Sequence, residues 1–267
     1  MIRDITIGQY YKADSVIHRL DPRVKLMGTL IFIISLFMGM NIWIYAVVTV
    51  ALAVVIKMSR IPLKFMVRGL KSIVILIIIS AVFNLFLTPG DVLIQIWKLT
   101  ITYQGLKMAI FMVVRLIYLI VGTSLMTLTT TPNNLTDGLE KGLGFLKVIK
   151  VPVHEIAMMM SIALRFIPIL IEETDKIMKA QMARGSDFEN GSLIKRAKAM
   201  VPILVPLFVS AFRRANELAM AMEARCYHGS EGRTKMKPLK YEKRDRIAYI
   251  SMVPVSYTHL RAHETSL

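Results

Sequence analysis

An arginine stands between small residues twice in this chain, in Ala183-Arg184-Gly185 and in Ala224-Arg225-Cys226, each time at the end of a stretch with helical periodicity. A guanidinium carries a rigid fork of donors that fits a carboxylate, and small neighbours keep bulk away from an approaching surface. The chemistry these residues suit is recognition. Arg184 and Arg225 read as anchors for a partner, with Ala183, Gly185, Ala224 and Cys226 clearing the space around them. A single arginine at a helix end would need no more than its favourable place against the helix dipole. The repetition and the likeness of the flanks favour docking.

Catalytic arrangements are missing. His154-Glu155 would open a zinc-protease helix, but Met158 holds the place of the second histidine. The run Gly138-Leu139-Glu140-Lys141-Gly142-Leu143-Gly144 lacks the Lys-Ser/Thr pair of a phosphate loop. The chain is therefore expected to hydrolyse no nucleotide and to hold no cofactor or metal of its own. Its 19 methionines include Met158, Met159, Met160 and Met200 on the two long helical stretches. Unbranched thioethers repack easily against changing partners, whereas a soft-metal site needs several converging sulfurs with a thiolate or histidine. Asn134-Leu135-Thr136 and Asn190-Gly191-Ser192 fit the glycosylation pattern, but both fall on the cytoplasmic side by the loop charges and read as incidental.

The elements that must carry these residues are written in the composition. Of 267 residues, 55% are apolar, mean hydropathy is +0.54, and 34 Lys and Arg against 18 Asp and Glu give a net charge of +16. Such basicity alone would fit a nucleic-acid binder, but long uncharged apolar runs exclude one and point to a membrane protein in contact with lipid. The single cysteine, Cys226, rules out an intrachain disulfide. No apolar leader stands in residues 1–25, which read as a cytoplasmic lead-in.

Residues 26–56 carry no charge and as one helix would run to roughly 46 Å, against a hydrocarbon core of about 30 Å. Two short spans, 26–39 and 42–56, are expected, hinged at Gly39-Met40-Asn41. A third covers 72–87, stopped by Thr88-Pro89-Gly90-Asp91, and a fourth 108–128. Arg115 interrupts the fourth about seven residues in, shallow enough to snorkel or to pair inside the bundle. Lys57, Arg60, Lys64, Arg68 and Lys71 between spans two and three place that loop, and with it the N-terminus, in the cytoplasm. Ahead of the first span, Asp21 can cap, Pro22 fits the first turn, and Arg23 and Lys25 are expected at the lipid headgroups.

Residues 153–184 and 193–225 read as a matched pair of long helices, apolar first and charged later, that leave the bilayer and end in the cytosol, with Pro168, Pro202 and Pro206 starting or bending them. Arg213 and Arg214 read as ordinary solvated charges. Residues 229–255 read as a basic loop and the start of a last span cut short, and 256–267 as a tail foreign to the natural protein.

At the arginine motifs the chain resembles the transmembrane, or T, component of energy-coupling factor transporters, a type of ABC importer in prokaryotes, and the related cobalt and nickel permeases. The likeness spans His18 to Lys25, Arg165-Phe166 with Pro168, Gln181 to Gly185, Pro202 with Pro206, and Ala221 to Tyr227, with Cys226 where a glycine is usual. It implies an all-α polytopic membrane protein with about four to five transmembrane helices in 26–129 and beyond, plus two long cytoplasmic-side coupling helices in 130–228. It also implies residence in the prokaryotic cell membrane and two ABC-type ATPase subunits, which hold ATP and Mg and dock at Arg184 and Arg225. The third implied partner is a substrate-binding S component, with Met158, Met159, Met160 and Met200 as its contacts, for uptake of vitamins or other micronutrients. A dedicated cobalt or nickel permease is the alternative; an intramembrane enzyme would need a converging His/Asp/Glu cluster, and a passive basic scaffold would tolerate charge-conserving changes anywhere.

The loop charges make Cys226 a reporter of orientation. A membrane-impermeant maleimide is expected to label it in inside-out vesicles and to spare intact cells, and labelling of intact cells would reverse the topology.

Overall fold

The computed structural model describes residues 10–37, 42–71, 73–96, 99–186, 188, 193–229, 236 and 238–252. The chain falls into two units, one of Gly142–Pro238 and the other of Gly8–Lys141 with the residues from Leu239 onward. It is an all-α polytopic membrane protein in which the only sheet among the described residues is one small hairpin.

In the larger unit, α1 (Pro22–Phe37) begins as its sequence suggests, with Pro22 in the first turn and Asp21 Oδ1 accepting the Arg23 N–H at 2.9 Å. Sequence reasoning missed the group that anchors this start. Asp245, on a helix α9 at residues 243–252, is only 2% exposed. Its Oδ1 accepts the Asp21 N–H at 2.8 Å and its Oδ2 accepts the Glu242 N–H at 2.8 Å. One carboxylate thus caps its own helix, as in a capping box, and holds the entrance to another.

Lys25 departs from its expected place at the headgroups. It is buried, and its Nζ donates to Thr129 O at 2.8 Å and to His18 O at 3.1 Å, so it satisfies a carbonyl at the C-terminal end of α5 (Tyr103–Thr129). Arg23 lies over the Tyr241 ring and donates to Leu239 O at 3.1 Å. Burial holds the His18 imidazole below its ordinary pKa. In the resulting neutral ring Nε2 carries the proton, because it faces Tyr11 O at 3.0 Å, and Nδ1 accepts from the Ser15 hydroxyl at 2.7 Å.

Helix α2 (Ile42–Ser59) starts where the second span was expected, and the hinge at 39–41 lies outside the described residues. The basic stretch that follows is helical where a loop was expected. Arg60 adopts φ 56°, and α3 (Leu63–Lys71) departs at 119° from α2, laying Met66 against Ile61, Leu125 and Leu128. After α4 (Val74–Leu87), the expected plain connection forms an antiparallel hairpin of β1 (Val92–Ile96) and β2 (Leu99–Thr102). Thr102 then starts α5 five residues earlier than expected: its Oγ1 accepts the Gly105 N–H at 3.0 Å and donates to Thr88 O at 2.8 Å. A Cβ at Gly105 would come within 2.9 Å of the Leu85 carbonyl, so the close approach of α4 to α5 needs glycine there.

Because α5 starts early, Arg115 sits at its middle and does not snorkel. It is 8% exposed and bonds Tyr45 Oη at 3.1 Å. The glycine-rich run falls on the end of α6 (Pro132–Gly142) and a 3-10 turn at Gly144–Ile149. By length and composition, α5 and α7 (Val153–Ala183) can each cross a membrane, and bent α2 with α3 adds a third candidate; α4 is shorter. The natural tail question rests on residues 253–267, outside the described residues.

Asp245→Ala would leave the buried backbone N–H of Asp21 and the part-buried N–H of Glu242 without acceptors, at a cost of about 2 kcal/mol. The expected outcome is a lower melting temperature in detergent micelles, with Asp245→Asn less affected because one acceptor survives.

Candidate docking site

The smaller unit is dominated by α7 and α8 (Leu193–Glu223). Both helices run through their prolines; none of Pro168, Pro202 and Pro206 starts a helix. A proline cannot donate to the carbonyl four residues earlier, so Pro206 strips Pro202 O of its partner. Gln181 of α7 supplies one, its Nε2 donating to that oxygen at 3.1 Å. The signal for this contact was in the sequence, in the spacing of the two prolines.

Farther along, Glu173 of α7 receives the Ser210 hydroxyl on Oε1 and the Arg214 guanidinium on Oε2, with Nη2 at 3.1 Å and Nε at 3.3 Å. Arg214 is therefore an interhelical partner and not the ordinary solvated charge it was expected to be. Glu173 opposite Ser210 and Gln181 opposite Pro202 fix an antiparallel register. An open, largely apolar cleft of about 270 Å³ continues it, with Ile162 and Phe166 on one helix facing Leu218 and Met222 on the other.

Both arginine motifs end their helices in the same way. After α7, Gly185 N–H bonds Met182 O at 3.0 Å and Ser186 N–H bonds Gln181 O at 3.0 Å. After α8, Cys226 N–H bonds Glu223 O at 2.8 Å and Tyr227 N–H bonds Met222 O at 3.1 Å. These are two Schellman caps, with Arg184 and Arg225 as the C-cap residues and Gly185 and Cys226 in the left-handed position, at φ 88° and 54°. The third residue of each motif thus has a backbone reason to be glycine, which Gly185 meets and Cys226 does not. Around Gly185 itself a Cβ would meet nothing within 4 Å, so the glycine relieves strain and not crowding within this chain.

Ala183, Arg184, Gly185, Ala224, Arg225 and Cys226 are all exposed, and among the described residues neither guanidinium has a carboxylate partner. The antiparallel register sets the two arginines at opposite ends of the pair, each helix being roughly 46 Å long. The same register divides the methionines. Met158, Met159 and Met160 lie toward the Arg225 end and Met200 toward the Arg184 end; Met159, Met160 and Met200 are exposed. They do not form one patch.

A family model described as cobalt transport protein (CbiQ) matches residues 13–236. Among curated proteins, the chain is 57% identical over 250 residues to the energy-coupling factor transporter transmembrane protein EcfT of Clostridium kluyveri, covering 93% of each. It is 56% identical to that of Thermosediminibacter oceani, covering 94% of each, and 47% identical to that of Bacillus subtilis, covering 95% of this chain and 96% of the relative.

The caps respond oppositely to substitution. Gly185→Ala should loosen the end of α7 by about 1 kcal/mol and Cys226→Gly should firm the end of α8 by about as much. Amide hydrogen exchange is expected to quicken at Ser186 in the first variant and to slow at Tyr227 in the second.

Proposed function

The chain belongs to the family of cobalt transport proteins and energy-coupling factor T components, and we propose on that premise that it transmits ATP-driven motion from two separate ABC-type ATPases to a substrate-binding S component in the prokaryotic cell membrane. It is a non-catalytic transport subunit; ATP and Mg belong to the partner subunits. Arg184 and Arg225 are the ATPase anchors, one per subunit, flanked by Ala183, Gly185, Ala224 and Cys226. The observation that carries this reading is the pair of like caps at opposite ends of one antiparallel helix pair, which suits two like partners standing side by side.

That geometry constrains how the pair meets the membrane. If both C-terminal ends reach cytosolic ATPases, an antiparallel pair of this length cannot cross the bilayer, since crossing would carry one arginine to the far side. The pair lies along the cytoplasmic face, although α7 alone has the length and hydropathy of a span. Its exposed apolar residues, such as Leu204, Phe208 and Phe212, are then left for lipid and for the S component, with Met158, Met159, Met160 and Met200 at its two ends. ATPase closure moves the two anchors, and the Glu173–Arg214 and Gln181–Pro202 contacts carry that motion between the helices.

The cargo is a vitamin or another micronutrient chosen by the S component. The name of the matching family favours one second reading, a dedicated cobalt or nickel permease, and uptake of labelled cobalt by cells expressing the complete transporter separates the two.

Truncating or reversing one partner of a desolvated charge pair costs on the order of 2 to 5 kcal/mol. Arg184→Glu with Arg225→Glu is expected to abolish co-purification of the ATPases and uptake while membrane insertion persists. Arg213→Glu, an exposed charge without a carboxylate partner among the described residues, is the control, and Arg214 is unsuitable because it holds Glu173. Wild-type recovery of the ATPases from the double reversal would reduce both motifs to helix ends.

A further inference from the structure

The cations where α2 passes into α3 have no acid near them in sequence. From Pro22 through Gly90 the chain holds no Asp or Glu, while Lys57, Arg60, Lys64 and Lys71 follow one another at steps of three, four and seven residues. All four are exposed, and among the described residues none forms an ion pair. The carboxylate of Asp14 feels the charge of Arg60, but Arg19 takes both of its oxygens.

The elbow that presents these cations is held from inside. Ser59 is fully buried, and its Oγ donates to Ile56 O at 2.7 Å and accepts the Ile61 N–H at 3.4 Å. Met66 packs on Leu125 and Leu128, and a Cβ at Gly69 would stand 3.3 Å from Ser124 Oγ. Helix α3 therefore lies against the last turns of α5, at the level where a helix long and apolar enough to cross a membrane comes to its end. On another side the Phe65 ring stands 5.1 Å from that of Tyr11. Arg60 carries the turn at φ 56°, which glycine would adopt without strain, so the backbone itself has no need of an arginine there.

Two stripes of α3 remain open. At 100° per residue Leu63 and Val67 fall within about 40° of each other and Lys64 and Lys71 within about 20°, one pair beside the other. Leu63 is 62% and Val67 55% exposed. An apolar stripe next to a cationic one is the surface of a helix that lies in the boundary between acyl chains and headgroups.

We propose that the α2–α3 elbow is a binding site for anionic phospholipid of the cytoplasmic leaflet, with phosphates at Lys57, Arg60, Lys64 and Lys71 and acyl chains along Leu63 and Val67. A leaflet that contains anionic lipid brings a negative layer and an apolar layer together, as the two stripes of α3 stand together. An acidic protein surface would answer the cations and leave the apolar stripe uncovered. The site rests on α5 crossing the membrane and on the orientation set by the loop charges, and is independent of the arginines at the ends of α7 and α8.

The full-length chain is purified in detergent and titrated with dioleoylphosphatidylglycerol or dioleoylphosphatidylcholine, and bound lipid is counted by native mass spectrometry. Phosphatidylglycerol is expected to bind the wild-type chain in clear preference. Lys64→Gln is expected to weaken it about five-fold, and Lys57→Gln with Lys64→Gln and Lys71→Gln on the order of a hundred-fold, in line with the share of one cation near a charged leaflet. Lys→Arg at the same three positions is expected to keep the preference. Lys→Gln at three exposed lysines elsewhere, Lys141, Lys150 and Lys240, is expected to leave it largely unchanged. Leu63→Asn with Val67→Asn, which spares the cations, is expected to weaken binding of the lipid, and glycerol phosphate, a headgroup without chains, is expected not to displace it. Wild-type affinity in the Lys57, Lys64 and Lys71 variant overturns the proposal. An equal loss from the three lysines elsewhere assigns the preference to overall basicity, and displacement by glycerol phosphate assigns the site to a free anion; either overturns it. Loss of co-purified ATPases from the Lys57, Lys64 and Lys71 variant with lipid affinity intact assigns the patch to an acidic protein surface, with the same result.

Discussion

A polypeptide in or against a bilayer must find partners for every backbone group that its helices leave open, because hydrocarbon supplies none. Much of this structure answers that demand. Asp245 closes the starts of two helices, Lys25 answers a carbonyl at the end of α5, Thr102 links the start of α5 to the loop after α4, and Gln181 answers the carbonyl that Pro206 leaves open. Each answer comes from a side chain of another element or another turn, so closing a backbone gap also fixes how two elements sit together.

The same demand shapes the ends of α7 and α8. A Schellman cap consumes the last carbonyls inside the chain and leaves the C-cap side chain free to point outward. An arginine there is presented by a closed backbone and does not need its own side chain to finish the helix. Gly185 enters the left-handed region without strain, and Cys226 enters it at some cost, so the two presentations are alike in geometry but unequal in stability.

Much of this was legible in sequence because it rests on local patterns. Pro22 after Asp21, the uncharged apolar runs and the repeated Ala-Arg each mark a helix or its end within a few residues, and helices stand where those patterns put them. The family resemblance, resting on the same residues, agrees with the family match. What escaped depends on distant partners. Nothing near Lys25 says that Thr129 will face it, and nothing near Asp21 points to Asp245, more than two hundred residues away. The pairing of Arg214 with Glu173 is likewise a product of antiparallel register, which periodicity within either helix cannot reveal. The hairpin and α3 were missed for a different reason: basic and polar residues were read as loop although β-branched residues and an amphipathic rhythm were present.

Opposed helix ends also make a gauge. One residue added to α7 or α8 lengthens it by about 1.5 Å but swings its terminal arginine through about 100° around the axis. Azimuth therefore fails long before reach does. Seven added residues return the side chain to within about 20° of its first heading while extending the helix by roughly 10 Å. Length in these two helices is consequently quantised: the distance between the arginines can be retuned in two-turn increments at nearly constant heading, and smaller insertions swing the side chain to another side of the axis.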